Sequence, residues 1–207
     1  LRTPIAILQT RLESLSLGPD ARRVLEDVAR LSTLADQLLD LQRVNQQVDP
    51  LSDVDIVAVG RMVVADLAPL AIAAGYELSF ETSAESIHVR GDQGSLERAL
   101  TNLIQNAIEH GGRRGLIAVR VHRPATIAVS DDGPGIPASE RERVFAPFYR
   151  LSGTRAQGSG LGLALVRQIA RQHGGEAGAP VVSARASVIE VALPAIAETP
   201  PLPPVAR

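Results

Sequence analysis

DDGPGIPASERERVFAPFYRLSGTRAQGSGLG, residues 131–162, carries two glycine clusters, Gly133/Gly135 and Gly158/Gly160/Gly162, around a short segment with Phe145 and Phe148. Just before it, Ile127 and Val129 alternate with Thr126, Ala128 and Ser130, a pattern that predicts a half-buried strand. That strand delivers Asp131 at its end, where an ionised carboxylate can only accept hydrogen bonds. Glycines beyond it let the backbone turn and approach a flat ligand without Cβ clashes. The second cluster opens a helix, LGLALVRQIARQH, whose first amides would point at an anion. An acceptor for a base, room for a ring and a helix N-terminus for phosphates suggest a nucleotide site. One G-x-G alone more often marks only a turn.

Upstream, LERALTNLIQNAIEH (96–110) places Leu96, Leu100, Leu103, Ile104 and Ala107 on one stripe of a helix, the side that faces a core. Glu97, Arg98, Thr101, Gln105 and Glu109 fall on the opposite side and read as solvated. Asn102, Asn106 and His110, spaced four apart, lie on the seam. Amide oxygens there suit Mg²⁺, which takes one or two protein groups plus waters and substrate phosphates. Surface amides bonding water are the plain alternative for this helix by itself.

Asn102-x-x-x-Asn106-Ala, Asp131-x-Gly-x-Gly, Phe145-x-x-Phe148 and Gly158-x-Gly160-x-Gly162 resemble, in order, the N, G1, F and G2 boxes of a known family. The family is the sensor histidine kinases of two-component signalling, and the resemblance spans roughly residues 1 to 194. It implies an α+β chain: an N-terminal antiparallel helical hairpin, dimerising into a four-helix bundle, then an α/β sandwich that binds ATP and Mg²⁺. Asp131 would accept from the adenine amine, and Gly133, Gly135 and Ile136 would line the base pocket. Asn106 is the expected metal ligand, and Asn102 would contact phosphate or a metal-bound water. His110 would set its ring against the base. Phe148, Gly158, Gly160, Leu161, Gly162 and Leu163 complete the nucleotide contacts by resemblance. Residues 149–160 look like a mobile lid from which Arg150 and Arg155 could reach the polyphosphate; solvated surface arginines are the equal alternative.

Leu1-Arg2-Thr3-Pro4 resembles the tail of the family's H box, which puts the phosphoacceptor histidine two positions before Leu1, outside this sequence. None of the four histidines present inherits that role by motif. Thr3 matches a residue associated with dephosphorylating the response regulator; its other reading is an ordinary hydroxyl near a helix start. The resemblance implies a homodimer through the hairpin and a response-regulator partner. It also implies a cytoplasmic fragment whose parent is anchored in the inner membrane.

Composition agrees. The chain is 45% hydrophobic but only 2% aromatic, so its core must be aliphatic. A net charge of −2 gives no reason to expect nucleic acid or contact with an anionic membrane. Without cysteine there is no thiol chemistry or disulfide, and every basic side chain is Arg or His. The most apolar run, 63–74, is broken by Asp66 and Pro69 and reads as too short to span a bilayer. Residues 1–45 repeat apolar positions at steps of four and three (Leu1, Ile5, Leu8, Leu12, Leu15; then Val24, Val28, Leu31, Leu34, Leu38, Leu41) around a Gly18-Pro19-Asp20 break. A lone hairpin cannot hide both stripes, which favours the dimer over packing on its own C-terminal domain. Residues 46–55 read as a polar linker, 56–194 as the ATP-binding domain and 195–207 as a disordered tail. Within the domain the expected elements are a helix over 56–74, with Gly60 and Pro69 against its continuity, and strands at 77–81 and 87–90. A hairpin at 116–122 and 126–130 and strands at 181–183 and 187–193 complete them.

Two departures from the family pattern stand out. Glu109 occupies a position that is often basic, and Ala186-Ser187-Val188 lacks a common glycine. Two other functions are open: a hydrolysing ATPase of the gyrase and mismatch-repair kind, and a nucleotide-binding interaction module without chemistry. The first needs a Glu four residues before the metal-binding Asn, where this chain has Asn102.

Overall fold

The computed structural model describes Val28 and residues 51–112, 114–151, 159–180 and 186–196. The expected hairpin, Thr3, Arg155, Gly158, the strand at 181–183 and most of the tail lie outside the described residues.

Strand β1 (Ser52–Asp55) runs into helix α1 (Ile56–Ala73), followed by β2 (Tyr76–Thr82), β3 (His88–Gly91) and helix α2 (Gln93–His110). Strands β4 (Gly115–His122) and β5 (Thr126–Asp131), a 3₁₀ turn (Arg143–Phe145), helix α3 (Gly162–Gln172) and strands β6 (Glu176–Gly178) and β7 (Ser187–Ala192) complete the domain. The main sheet has the order β2-β4-β5-β7-β6, with β2 and β4 parallel and the other pairs antiparallel; β1 and β3 form a separate antiparallel pair. Helix α1 packs on β2 and α2, and α2 packs on α3 and β5. The α+β architecture of helices on a mixed sheet follows.

The core is aliphatic, as composition requires. Ile56, Leu96, Leu100, Leu103, Ile104, Ile117, Leu161, Leu165 and Ile169 are its largest fully buried side chains. The stripe on α2 is buried in full: Leu96, Leu100, Leu103, Ile104 and Ala107 all face inward.

Several expectations change. The linker ends in a strand: β1 pairs with β3, and Asp55 caps α1 by accepting Val57 N–H at 3.0 Å and Ile87 N–H at 3.1 Å. Helix α1 continues through Gly60 and Pro69, and Gly60 is needed because a Cβ there would lie 2.5 Å from the Phe80 ring. By length and composition α1 could cross a membrane, contrary to the reading of 63–74 as too short, but its inner face is built into this domain. Helix α2 starts at Gln93, capped by Asp92, whose Oδ2 accepts Ser95 N–H at 2.8 Å. Glu97, Arg98 and Thr101 are half-buried, not fully solvated.

Strand β5 is the central strand and is buried on both faces, not one. Its small Ala128 is flanked in register by Arg120 and Glu190, and Arg120 reaches on to Glu81 at 2.8 Å, so long side chains roof over it. Order also extends past residue 194: Ala195 bridges Val89, and Ile196 N–H donates to His88 O at 2.8 Å.

Asp55→Ala should destabilise the domain by about 1–2 kcal/mol, since a helix cap and the bond to Ile87 go together. Asp55→Asn, which keeps the acceptor, should stay within about 0.5 kcal/mol of the parent in urea unfolding.

Candidate functional site

The site is built where the end of β5 meets the end of α2. Asp131, the last residue of the central strand, is 5% exposed. Its Oδ1 accepts Gly133 N–H at 2.8 Å. Ser187, opposite it in the β5–β7 register, provides a second hydrogen bond from its side chain. A Cβ on Gly133 would collide with Asp131 Oδ1 and sit 3.0 Å from both Gly111 Cα and His110 O. One on Gly111 would come 2.6 Å from Ala107 O and 3.2 Å from Asp131 Cβ. Asp131, Gly133, His110 and Gly111 are thus in van der Waals contact, and only glycine fits at the two glycine positions.

Burial pushes the Asp131 carboxyl above its ordinary pKa; the bonds from Gly133 and Ser187 pull it down, and Asp132 adds to the rise. Asp132 itself is exposed and accepts Leu116 N–H at 2.9 Å. His110, the last residue of α2, is half-buried. Burial holds its pKa below the ordinary value, Glu109 opposes this, and the charge of Arg150 adds to the lowering. The imidazole is therefore neutral at neutral pH, and Arg150 lies within electrostatic reach of it.

One turn back along α2 is Asn106, half-buried, whose amide makes no hydrogen bond among the described residues. A further turn back, Asn102 Nδ2 donates to Arg98 O at 2.8 Å, and its Oδ1 would be 3.1 Å from a Cβ on Gly162. The first residue of α3 therefore rests on Asn102. Helix α3 has no side-chain cap on its first turn, while Leu161 N–H is taken by Ser159 Oγ at 3.1 Å. Among the described residues no side chain caps its leading amides, which is the arrangement that suits an anion.

Gly160, at φ 72°, would bring a Cβ to 2.7 Å from Tyr149 O, and its own carbonyl accepts Phe148 N–H at 2.9 Å. The chain on either side of 152–158 is joined at that point. Phe148 is in the left-handed region (φ 63°) and is 61% exposed. Leu161 is fully buried, Leu163 and Ile136 are half-buried against the core, and Gly135 turns at φ 77°.

Sequence reasoning missed Ser187, Gly111 and the Tyr149–Glu140 pair, and it named Phe145 without its partner Arg167. Ser187 stands across from Asp131, a pairing that only the strand register discloses. Gly111 is forced by its neighbours. Phe145 is buried and carries the Arg167 guanidinium 4.2 Å above its ring, while Arg167 bonds Glu142 at 2.6 and 3.0 Å. The Tyr149 hydroxyl bonds Glu140, with Arg143 stacked 4.6 Å over the ring. Among the described residues no three His, Cys, Asp or Glu cluster as a metal cage. A hard cation here would need oxygens from a bound anion and water beside the Asn106 amide.

A model of the histidine kinase-, DNA gyrase B-, and HSP90-like ATPases matches residues 91–196. This chain belongs to that family. It is a catalytic and ATP-binding fragment of the sensor histidine kinase kind. It is 36% identical over 195 residues to the signal transduction histidine-protein kinase/phosphatase MprB of Mycobacterium sp. (strain KMS), over 84% of this chain and 37% of that protein. Among solved structures it is similar to a mycobacterial sensor histidine kinase MprB, at a TM-score of 0.59 and 30% identity, over 70% of this chain and 97% of that one. It is also similar to full-length ShkA in complex with AMPPNP, at a TM-score of 0.71 and 25% identity, over 94% of this chain and 44% of that one. The chain spans about two fifths of the length of the curated relatives it matches.

A carboxyl whose folded pKa is raised favours the fold below its unfolded pKa and loses that advantage as pH rises through the folded value. Ionised Asp131 is then a standing cost to the kinase domain near neutrality. Asp131→Asn should therefore gain stability relative to the parent between pH 4 and pH 7, read as urea midpoints at both pH values. A relative loss over that interval would overturn the assignment of burial as the dominant influence.

Proposed function

We propose that this chain binds MgATP between α2 and α3, and that in the protein it belongs to the γ-phosphoryl group passes to a histidine and then to a response-regulator aspartate. The observation that carries the reading is the buried Asp131 acceptor, walled by Gly111 and Gly133, with Asn102 set against the first residue of α3. Asp131 accepts the adenine amine, and the neutral His110 ring lies along the base. Asn106 holds Mg²⁺ through its amide oxygen together with phosphate oxygens and water. Bound Mg²⁺ neutralises charge on the polyphosphate. The leading amides of α3 take the phosphates, and Arg150 adds charge from the side of His110.

In the transfer, an imidazole nitrogen forms an N–P bond as the bond from the γ-phosphorus to the bridging oxygen breaks and ADP leaves; the regulator's carboxylate oxygen then displaces the imidazole. This needs positioning and charge neutralisation far more than covalent help. The acceptor histidine belongs before Leu1, so this chain alone takes up no phosphate. Pairing through residues 1–45, a Thr3 role in dephosphorylating the regulator, and a membrane-anchored parent with this part in the cytoplasm belong to the same proposal. The hydrolytic alternative lacks its base, because Asn102 stands four residues before Asn106 and its amide donates to Arg98 O.

Titration calorimetry with MgADP tests the site. Asn106→Ala should weaken binding by about tenfold or more and remove its dependence on Mg²⁺. Asp131→Asn should weaken it further: the new carbonyl stays on Gly133 N–H, which turns an NH₂ toward the donating adenine amine. Both variants binding like the parent would overturn the site. Radiolabel from γ-labelled ATP should appear only when the chain is extended upstream to include the acceptor histidine; label on the present chain would contradict the transfer scheme.

A further inference from the structure

We infer that His173, just past the end of α3, is a positioning residue for the nucleotide site, an inference that rests on the reading above. The ring is 4% exposed, and both nitrogens are engaged. Nδ1 donates to Ile169 O at 2.7 Å, and Nε2 accepts Asp92 N–H at 2.9 Å. These bonds fix one neutral tautomer. Asp92 caps α2, so the imidazole joins the C-terminal end of α3 to the N-terminal end of α2 across 81 residues of sequence. Gly91 makes room for it: a Cβ there would lie 2.9 Å from His173 Cδ2 and 3.2 Å from Nε2.

The second junction between these helices is Gly162 against Asn102. From Gly162 to His173 is about 16 Å of helix, and from Asp92 to Asn102 about 15 Å, at 1.5 Å per residue. The paths along the two helices between these points are therefore similar in length, and α3 meets α2 at both its ends, at the N-cap Asp92 and at Asn102 midway along α2. A helix transmits displacement along its axis. Freeing α3 at His173 lets it slide or roll, and the shift arrives at Gly162, where its leading amides and Asn102 face the phosphates. Errors of about 1 Å in such positions can cost about a hundredfold in productive geometry. His173 touches no substrate and acts only through α2 and α3.

Two variants separate positioning from plain stability. His173→Gln can place an acceptor near the former Nε2, whereas His173→Asn can still donate to Ile169 O but is too short to reach Asp92. We expect His173→Asn to bind MgADP about tenfold more weakly, and His173→Gln to stay within about threefold, with both folded by circular dichroism. A lower melting temperature with an unchanged dissociation constant in His173→Asn would overturn the inference, as would equal losses in both variants. A second readout uses the unaltered chain. By reciprocity, MgADP at the far end of α3 should slow hydrogen exchange at the Asp92 amide by more than it slows core amides such as Ile104. Equal slowing at the two positions would also overturn it. A parent chain that fails to bind MgADP at all would remove the nucleotide reading itself.

Discussion

A carboxylate held out of water at the end of a central strand is the constraint the rest of this domain accommodates. Burying an ionised group is costly unless its oxygens are hydrogen-bonded, and Asp131 takes Gly133 N–H from its own chain and the Ser187 side chain from the neighbouring strand. Those partners dictate local structure in turn. Strand β7 must keep the register that sets Ser187 opposite Asp131. The turn after β5 must double back closely enough that residue 133 has no room for a side chain, and α2 must end with another glycine against the same carboxylate. Gly133 and Gly111 thus make room around the acid as much as around a ligand.

The second requirement is a fixed relation between α2 and α3. Both helices are strongly amphipathic, and the leucines and isoleucines that face inward bury them against the sheet and each other. Aliphatic packing holds helices together but is tolerant of sliding, because similar side chains can exchange neighbours at modest cost. Directional contacts supply what packing leaves loose. The bond from Asp92 N–H to His173 Nε2 is such a contact, and at the other end of α3 the close fit of Gly162 over Asn102 sets the approach.

Much of this was legible in the sequence wherever a single segment carries its own pattern. The stripe on α2, the glycine clusters and the placement of Asp131 at a strand end are local facts; the structure sets Gly133 against Asp131 and His110, and Gly162 against Asn102 two turns back along α2. What was missed depends on partners far away in the chain. SDVD is polar and short, and it is a strand only because β3 lies beside it and Asp55 caps α1. The sequence marks Ser187 only by the glycine missing from its stretch, and its bond to Asp131 follows from the strand register. His173 is the last residue of the predicted helix LGLALVRQIARQH, and its Nε2 contact with Asp92, 81 residues away, is not written in that segment. The alternation of Ile127 and Val129 with Thr126 and Ala128 reads as a half-buried strand, whereas Arg120 and Glu190 on adjacent strands roof the alanine.

The buried carboxylate also links stability to ligand affinity. In the free domain at neutral pH the charge of Asp131 opposes folding, and the opposition must be borne by the core around it, where Leu100, Ile104 and Ile117 are fully buried. A ligand amine that donates to the free acceptor capacity of that carboxylate relieves the desolvation at its source, so part of the binding free energy is the return of a cost already built into the fold. Any ligand that binds only the folded state stabilises it in proportion to the logarithm of occupancy. In the function proposed above, the same carboxylate sets both quantities. A neutral isostere at 131 lowers the cost and discards the return, which separates a site selected for binding a base from a polar residue kept for the fold.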